Sequence, residues 1–224
     1  RYNAAAVLHE GEVRQIVHKR LLPSYRYFDD KRYFTPGEEV EPLELELSGE
    51  TVRIGVLICE DLWHEGYRME PGLIYAEKGV DYLFLISASP FVCSSPGRQD
   101  GKRFVRARLT RGLIKKSGVP VVSVNTVGVG DNGKNVIPFD GMSTAHDGEG
   151  NLVAHLAAFK EDQQIVEFED GRAPRIGEPS CKREEEIYEA LAMSVRDYYD
   201  KIGIFKGVLE TVSGGIDSAL GTAI

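Results

Sequence analysis

Two apolar runs constrain this chain more than any other feature: VRIGVLIC at 52–59 and DYLFLISAS at 81–89. Neither alternates apolar with polar residues. Both therefore read as strands buried on two faces, the pattern of parallel sheets covered by helices. Between them PGLIYAEKG reads as a helix stopped at Gly79, which makes a β-α-β unit. RFVRARLTRGLIKKSG (103–118) is a second helix closed by Gly118, and VPVVSVNTV is the next strand. Upstream, NAAAVLHEGEVRQIVHKRLL predicts a hairpin turning at Glu-Gly. Downstream, GMSTAHDGEGNLVAHL (141–156) and QQIVEFED (163–170) predict a terminal meander. Helices between buried strands, with hairpins at the flanks, specify an α/β sandwich.

Composition excludes several function classes. A hydrophobic content of 42% supports a substantial core, and a net charge of -8 argues against a general nucleic-acid or membrane-surface binder. The three cysteines, Cys59, Cys93 and Cys181, have no zinc-like spacing, and their odd number favours a reducing compartment, hence the cytoplasm. No apolar run approaches the roughly 18 residues that a membrane span requires. The five histidines show no metal spacing, and His64 and His146 read as polar loop residues.

From 171 the composition shifts. GRAPRIGEPS carries two prolines and two glycines, which predicts a linker over 172–182 between one domain at 1–171 and the start of another at 183–224. REEEIYEALAMSVRDYYDKIG reads as a helix with an acidic first turn, ending at Gly203. FKGVLETV (205–212) then reads as a strand, SGG as a turn and SALGTAI as a helix start. That order aims backbone N–H groups and a helix dipole at phosphate. A chain that opens beside a strand and stops just after such a turn is expected to be an excerpt of a longer enzyme.

The cysteine at the end of the first buried run is the leading candidate for chemistry. Cys59 sits at the carboxyl end of a parallel strand, where open α/β folds place ligands, and the acids of CED come directly after it. A buried structural cysteine is the competing reading. HKRLLPSYRYFDDKRYF (18–34) adds a lysine, a Leu-Leu-Pro stop and five aromatics in one segment. An ammonium beside a thiolate lowers its pKa and stabilises a developing oxyanion.

K-x-x-L-P at Lys19 and G-V-L-I-C-E-D about forty residues later resemble the nitrilase, or carbon–nitrogen hydrolase, superfamily. Within it the match is to the glutaminase domain of the glutamine-dependent NAD synthetase family, over most of 1–170. The resemblance implies a nitrilase-like α-β-β-α sandwich and a Glu-Lys-Cys triad. In that triad Cys59 is the nucleophile, Lys19 stabilises the oxyanion, and the N–H of Glu60 completes the oxyanion hole. The glutamate base of that triad is expected N-terminal to this chain, and Glu10 and Glu12 sit at the predicted hairpin turn. Tyr25, Ser89 and Arg98 match positions that contact glutamine, with Lys102 competing with Arg98 for its carboxylate; Cys93 in the same loop reads as incidental.

GVGDNGKN (128–135) satisfies G-x-G-x-x-G, but Pro138 stands where a phosphate-binding helix would have to begin, so it reads as a polar loop before another strand, with Asn125 as a strand-end residue. SGGIDS (213–218) matches S-G-G-x-D-S of the ATP-pyrophosphatases. That resemblance implies the beginning of a Rossmann-like adenine-nucleotide-binding domain. In it Ser213, Gly214, Gly215 and Ser218 hold the pyrophosphate of ATP and Asp217 organises phosphate or Mg²⁺. Together the two resemblances imply a homo-oligomeric, cytoplasmic ligase taking glutamine, deamido-NAD and ATP. A stand-alone carbon–nitrogen hydrolase and a non-catalytic interaction module are the alternative readings.

Overall fold

The computed structural model describes residues 1–47 and 49–224. A hairpin of β1 (Ala4–His9) and β2 (Glu12–His18) opens the chain. It reverses at Glu10 (φ 52°) and Gly11 (φ 79°), the two left-handed residues that a tight hairpin turn requires. After the single turn α1 (Asp30–Tyr33) come β3 (Leu43–Leu47), β4 (Glu50–Ile58), α2 (Pro71–Glu77), β5 (Tyr82–Ser87), α3 (Lys102–Ser117) and β6 (Val121–Asn125). The chain continues through β7 (Val127–Asp131), β8 (Val136–Asp140), β9 (Thr144–His146) and β10 (Leu152–His155), then the helices α4 (Arg183–Ile202) and α5 (Ile216–Ala223).

The main sheet has the strand order β10-β9-β6-β5-β4-β3. Its centre, β4-β5-β6, is parallel, and the flanking strands are antiparallel. The two runs that dominate the sequence are thus adjacent inner strands, in register from Ile54–Tyr82 to Ile58–Ile86. Helices α2 and α3 bury one face of this sheet, where Leu57, Tyr75, Leu83, Leu85, Leu113, Ile114 and Val121 form the core. Helix α3 ends as predicted: Gly118 takes φ 71° and its N–H bonds to the Ile114 carbonyl at 2.7 Å. Helix α4 ends in the same way at Gly203.

Four expectations are corrected. Residues 163–170 form no strand, only an isolated bridge between Glu169 and Arg172. Val166 and Phe168 pack against the cluster of Ala145, Val153 and Ala154, so the alternation reflects side-chain anchoring without a backbone partner. Residues 205–212 are also not a strand, and Val208 and Leu209 are largely exposed. A strand needs a neighbour for its N–H and C=O groups, and no strand lies beside this one among the described residues. The first half of GVGDNGKN is strand β7, paired with β8, and only 132–135 form the connecting turn. Helix α4 packs through Ala190 and Met193 against Val129 of this hairpin and against Phe159, which follows β10. Finally, His146 is no loop residue. It ends β9, is 1% exposed, and neither ring nitrogen has a hydrogen-bond partner among the described residues. It faces a cavity of about 280 Å³ under α3.

Gly55 in β4 shows how tight the core is. A Cβ there would lie 2.7 Å from Leu83 Cδ2 and 2.7 Å from the Tyr75 ring. Gly55→Ala should therefore destabilise the fold by about 1–3 kcal/mol, read as a lower denaturant midpoint. Burial also drives the His146 imidazole down to about 4. An unfolded histidine binds a proton near 6.5, so on acidification from 6.5 to 4 the unfolded state is protonated first and stability falls, by about 3 kcal/mol in full. His146→Gln should flatten this acid limb in denaturation series run between pH 7 and pH 4.

Candidate active site

The candidate site lies where β4 ends. Cys59 comes directly after the strand with φ 47°, a left-handed conformation rarely adopted by a side-chain-bearing residue, and opens a 3₁₀ turn, Cys59–Leu62. Non-glycine residues held there cost about 1–3 kcal/mol and cluster at functional sites. Asp61, 1% exposed, anchors the turn. One carboxylate oxygen accepts from the Ile58 N–H at 3.0 Å, and the other accepts from the N–H groups of Arg20 at 3.0 Å and Leu21 at 2.8 Å. This ties the Cys59 turn to the end of β2.

Lys19 is carried on that tied segment. It is 4% exposed, and its Nζ lies 2.6 Å from Asp30 Oδ2 on α1. Arg20 beside it donates to the Glu39 carbonyl at 2.9 Å and to the Tyr75 hydroxyl at 2.9 Å. Glu60 is buried, and its two oxygens accept from the hydroxyls of Tyr25 at 2.8 Å and Tyr67 at 3.1 Å. Burial raises its carboxyl above the ordinary range, while the two tyrosines, Lys19 and Lys102 pull the other way. Tyr25 is itself raised by burial and by the Glu60 it donates to. An opening of about 390 Å³ beside Glu60 is lined by Tyr25, Lys31, Trp63 and Tyr67.

The cysteine thiol is the balance of opposed effects. Burial pushes it above its ordinary value; Lys19, then Lys102, pull it down, Glu60 raises it, and the Ala88 N–H lowers it. Lys102 opens α3 and its Nζ stands 5.0 Å from the centre of the Trp63 ring and 5.4 Å from that of Phe28. Burial lowers the Lys102 ammonium, and the neighbouring Cys59 raises it.

The structure thus gathers Cys59, Lys19, Glu60 and Tyr25, as the sequence suggested, and brings Lys102 to them rather than Arg98. The Arg98 side chain is 72% exposed and pairs with Asp100 at 3.2 Å within its own loop. Ser89 is 1% exposed, its hydroxyl has no partner among the described residues, and its N–H donates to Asn125 Oδ1 at 2.8 Å. Asn125 is more than a strand end: its Nδ2 also reaches Asp140 at 3.0 Å and the Gly141 carbonyl at 3.1 Å. Asp30, Asp61 and Tyr67 join the site without having been expected there. Only the acidic pair after the cysteine signalled Asp61; nothing local marks the other two.

The phosphate-loop candidates lie apart, on an exposed segment. Gly214 takes φ 85°, helix α5 begins at Ile216, and Ser218 Oγ accepts from the Ser213 N–H at 3.2 Å and donates to the Gly215 carbonyl at 3.0 Å. A left-handed glycine before a helix start fits a phosphate group. Asp217 is exposed in the first turn of α5, and among the described residues no three metal-ligating side chains converge. Nor is any helix among them long and apolar enough to cross a membrane.

The sequence model of the carbon-nitrogen hydrolase family matches residues 2–173. The chain belongs to this family. Its nitrilase-like α/β fold places Cys59 at the strand end where the sequence put it. Similarity to known proteins also extends past residue 173. A glutamine-dependent NAD(+) synthetase from Synechocystis is 33% identical over 234 residues, covering 100% of this chain and 39% of that protein. One from Acinetobacter baylyi is 36% identical over 227 residues, covering 100% and 38%. The solved glutamine-dependent NAD+ synthetase from Acinetobacter baumannii, in complex with adenosine diphosphate, superposes with a TM-score of 0.82 at 34% identity, covering 99% of this chain and 39% of that one. The chain therefore spans about two fifths of the length of these relatives.

Because Lys102 is one of two cations that hold the thiol down, Lys102→Met should raise the Cys59 pKa and shrink its thiolate fraction by about tenfold for each unit moved. A difference titration of thiolate ultraviolet absorbance, against a Cys59→Ala blank, reads the shift.

Proposed function

We propose that this chain is the glutaminase part of a glutamine-dependent NAD synthetase, with residues 183–224 beginning its ATP-binding part. The observation that carries the reading is the continuity of the similarity: it runs through the carbon–nitrogen hydrolase region and on across SGGIDS to cover 100% of the chain. A free-standing hydrolase would not need that second segment.

In this reading Cys59 Sγ attacks the carboxamide carbon of glutamine. The C–N bond then breaks, ammonia leaves, and water cleaves the resulting thioester to glutamate. Lys19 Nζ and the Glu60 N–H face the oxyanion of the tetrahedral intermediate, the point at which fixed donors contribute most. The thiol's raised pKa has a consequence: at neutral pH it holds its proton, so attack requires a base to remove it. The triad's glutamate fills that role in the resemblance and is not assigned within residues 1–224. Lys102 takes the glutamine carboxylate, with Tyr25 and the buried Ser89 hydroxyl at the amino-acid end. Ammonia then amidates deamido-NAD after ATP has activated its carboxylate, releasing AMP and pyrophosphate. Ser213, Gly214, Gly215 and Ser218 hold the pyrophosphate of the ATP substrate, and Asp217 organises the phosphates or the accompanying Mg²⁺. The left-handed Gly214 and the helix start at Ile216 support this assignment. The whole protein acts as a cytoplasmic homo-oligomer.

In the full-length protein, Cys59→Ala should abolish glutamine-driven NAD synthesis and leave ammonia-driven synthesis largely intact. Equal loss with both nitrogen donors would make Cys59 a structural residue and remove the glutaminase assignment.

A further inference from the structure

We propose that Asp61 is a positioning residue for this chemistry: its carboxylate sets the distance between Lys19 and Cys59 by clamping their two backbone segments together. The inference rests on the reading of Cys59 as nucleophile and Lys19 as its cation. The Asp61 carboxylate is not offered to substrate; the residue is 1% exposed and both its oxygens are occupied inside the protein.

The geometry is specific. Lys19 and Cys59 lie forty positions apart, and the segments that carry them belong to different sheets. Among the described residues strand β2 pairs only with β1, so no ladder joins the Lys19 segment to β4. The bonds from Arg20 N–H and Leu21 N–H to one Asp61 oxygen, and from Ile58 N–H to the other, make that join with main-chain donors immediately flanking the two reactive residues. Side-chain support comes from the same place. Arg20 Nη1 stands 3.9 Å from Asp61 and also donates to the Val56 carbonyl at 3.3 Å, and its Nη2 reaches the fully buried Tyr75 hydroxyl. The absence of a Cβ at Gly55 leaves room for the Tyr75 ring. Both carboxylate oxygens act as acceptors, which asparagine cannot reproduce: its amide nitrogen would face either the Ile58 N–H or the Arg20 and Leu21 pair, donor against donor. A shift of about 1 Å in a catalytic group is enough to cost on the order of a hundredfold in rate.

The test is made on the full-length protein by following alkylation of Cys59 against pH, with the modified peptide quantified by mass spectrometry so that other cysteines do not contribute. This readout needs no glutamine turnover. Lys19→Ala should raise the apparent thiol pKa. Asp61→Asn should shift it the same way while the melting transition stays cooperative, and in the Lys19→Ala background it should add less than about twofold to the rate loss, since residues acting as one unit are not additive. An unmoved profile in Asp61→Asn beside a shifted one in Lys19→Ala overturns the positioning role alone. Full additivity of the two also overturns it. An unmoved profile in Lys19→Ala overturns both this inference and the role given to Lys19 above. Should Asp61→Asn not fold, hydrogen exchange on the wild-type protein decides: the amides of 20–21 and of Ile58 should open together, and independent exchange of the two segments overturns the clamp.

Discussion

The Asp61 carboxylate, with its three backbone donors, is the constraint on which the candidate site depends. It sits where the opening hairpin segment must meet the main sheet with chemical accuracy, and it makes that join without a strand ladder. A buried carboxylate is costly to desolvate, and an isolated one would lose its charge. Here burial still raises the Asp61 carboxyl above its ordinary range, but three backbone donors and a nearby guanidinium offset part of the cost with bonds that also define geometry. The parallel core beneath, packed from Leu57 through Leu83 to Val121, holds the strand end that the clamp fastens.

The electrostatics of the site come from the same burial. A thiol placed at a covered strand end is pushed toward its neutral form, and two buried or half-buried ammonium groups only partly reverse this. Lys19 is itself paired with Asp30 at 2.6 Å, and Glu60 is held by two tyrosine hydroxyls. The site is therefore a set of compensated charges rather than one strong field.

The glycine-rich stretch at 128–135 has a different physical explanation from the one its spacing invites. Gly128 (φ 107°) lies where a Cβ would come within 2.7 Å of Asp197 on α4, and Lys201 of the same helix donates to the Val129 carbonyl at 2.7 Å. Small residues here let a helix approach a two-stranded ribbon. The same residue type at 214 precedes a helix start instead. The two stretches differ in the next element of the chain, which is the proline-bearing strand β8 after one and helix α5 after the other.

The sequence by itself determined the inner strands, the helices between them, their glycine stops, the opening hairpin and the placing of Cys59 at a strand end. These are local facts, written in apolar periodicity and in residues that permit left-handed backbone. It misjudged 163–170 and 205–212, because an apolar or alternating run shows which residues can pair but not whether a partner strand is present. Only the tertiary structure decided that Lys102 rather than Arg98 acts on the cysteine, that His146 is buried, and that Asp30 and Tyr67 join the site. Each of these depends on side-chain contacts made outside the residue's own local run, which no apolar or turn pattern records. Lys102 and Arg98 are four residues apart and chemically alike, and the start of helix α3 is what turns one inward and leaves the other in solvent.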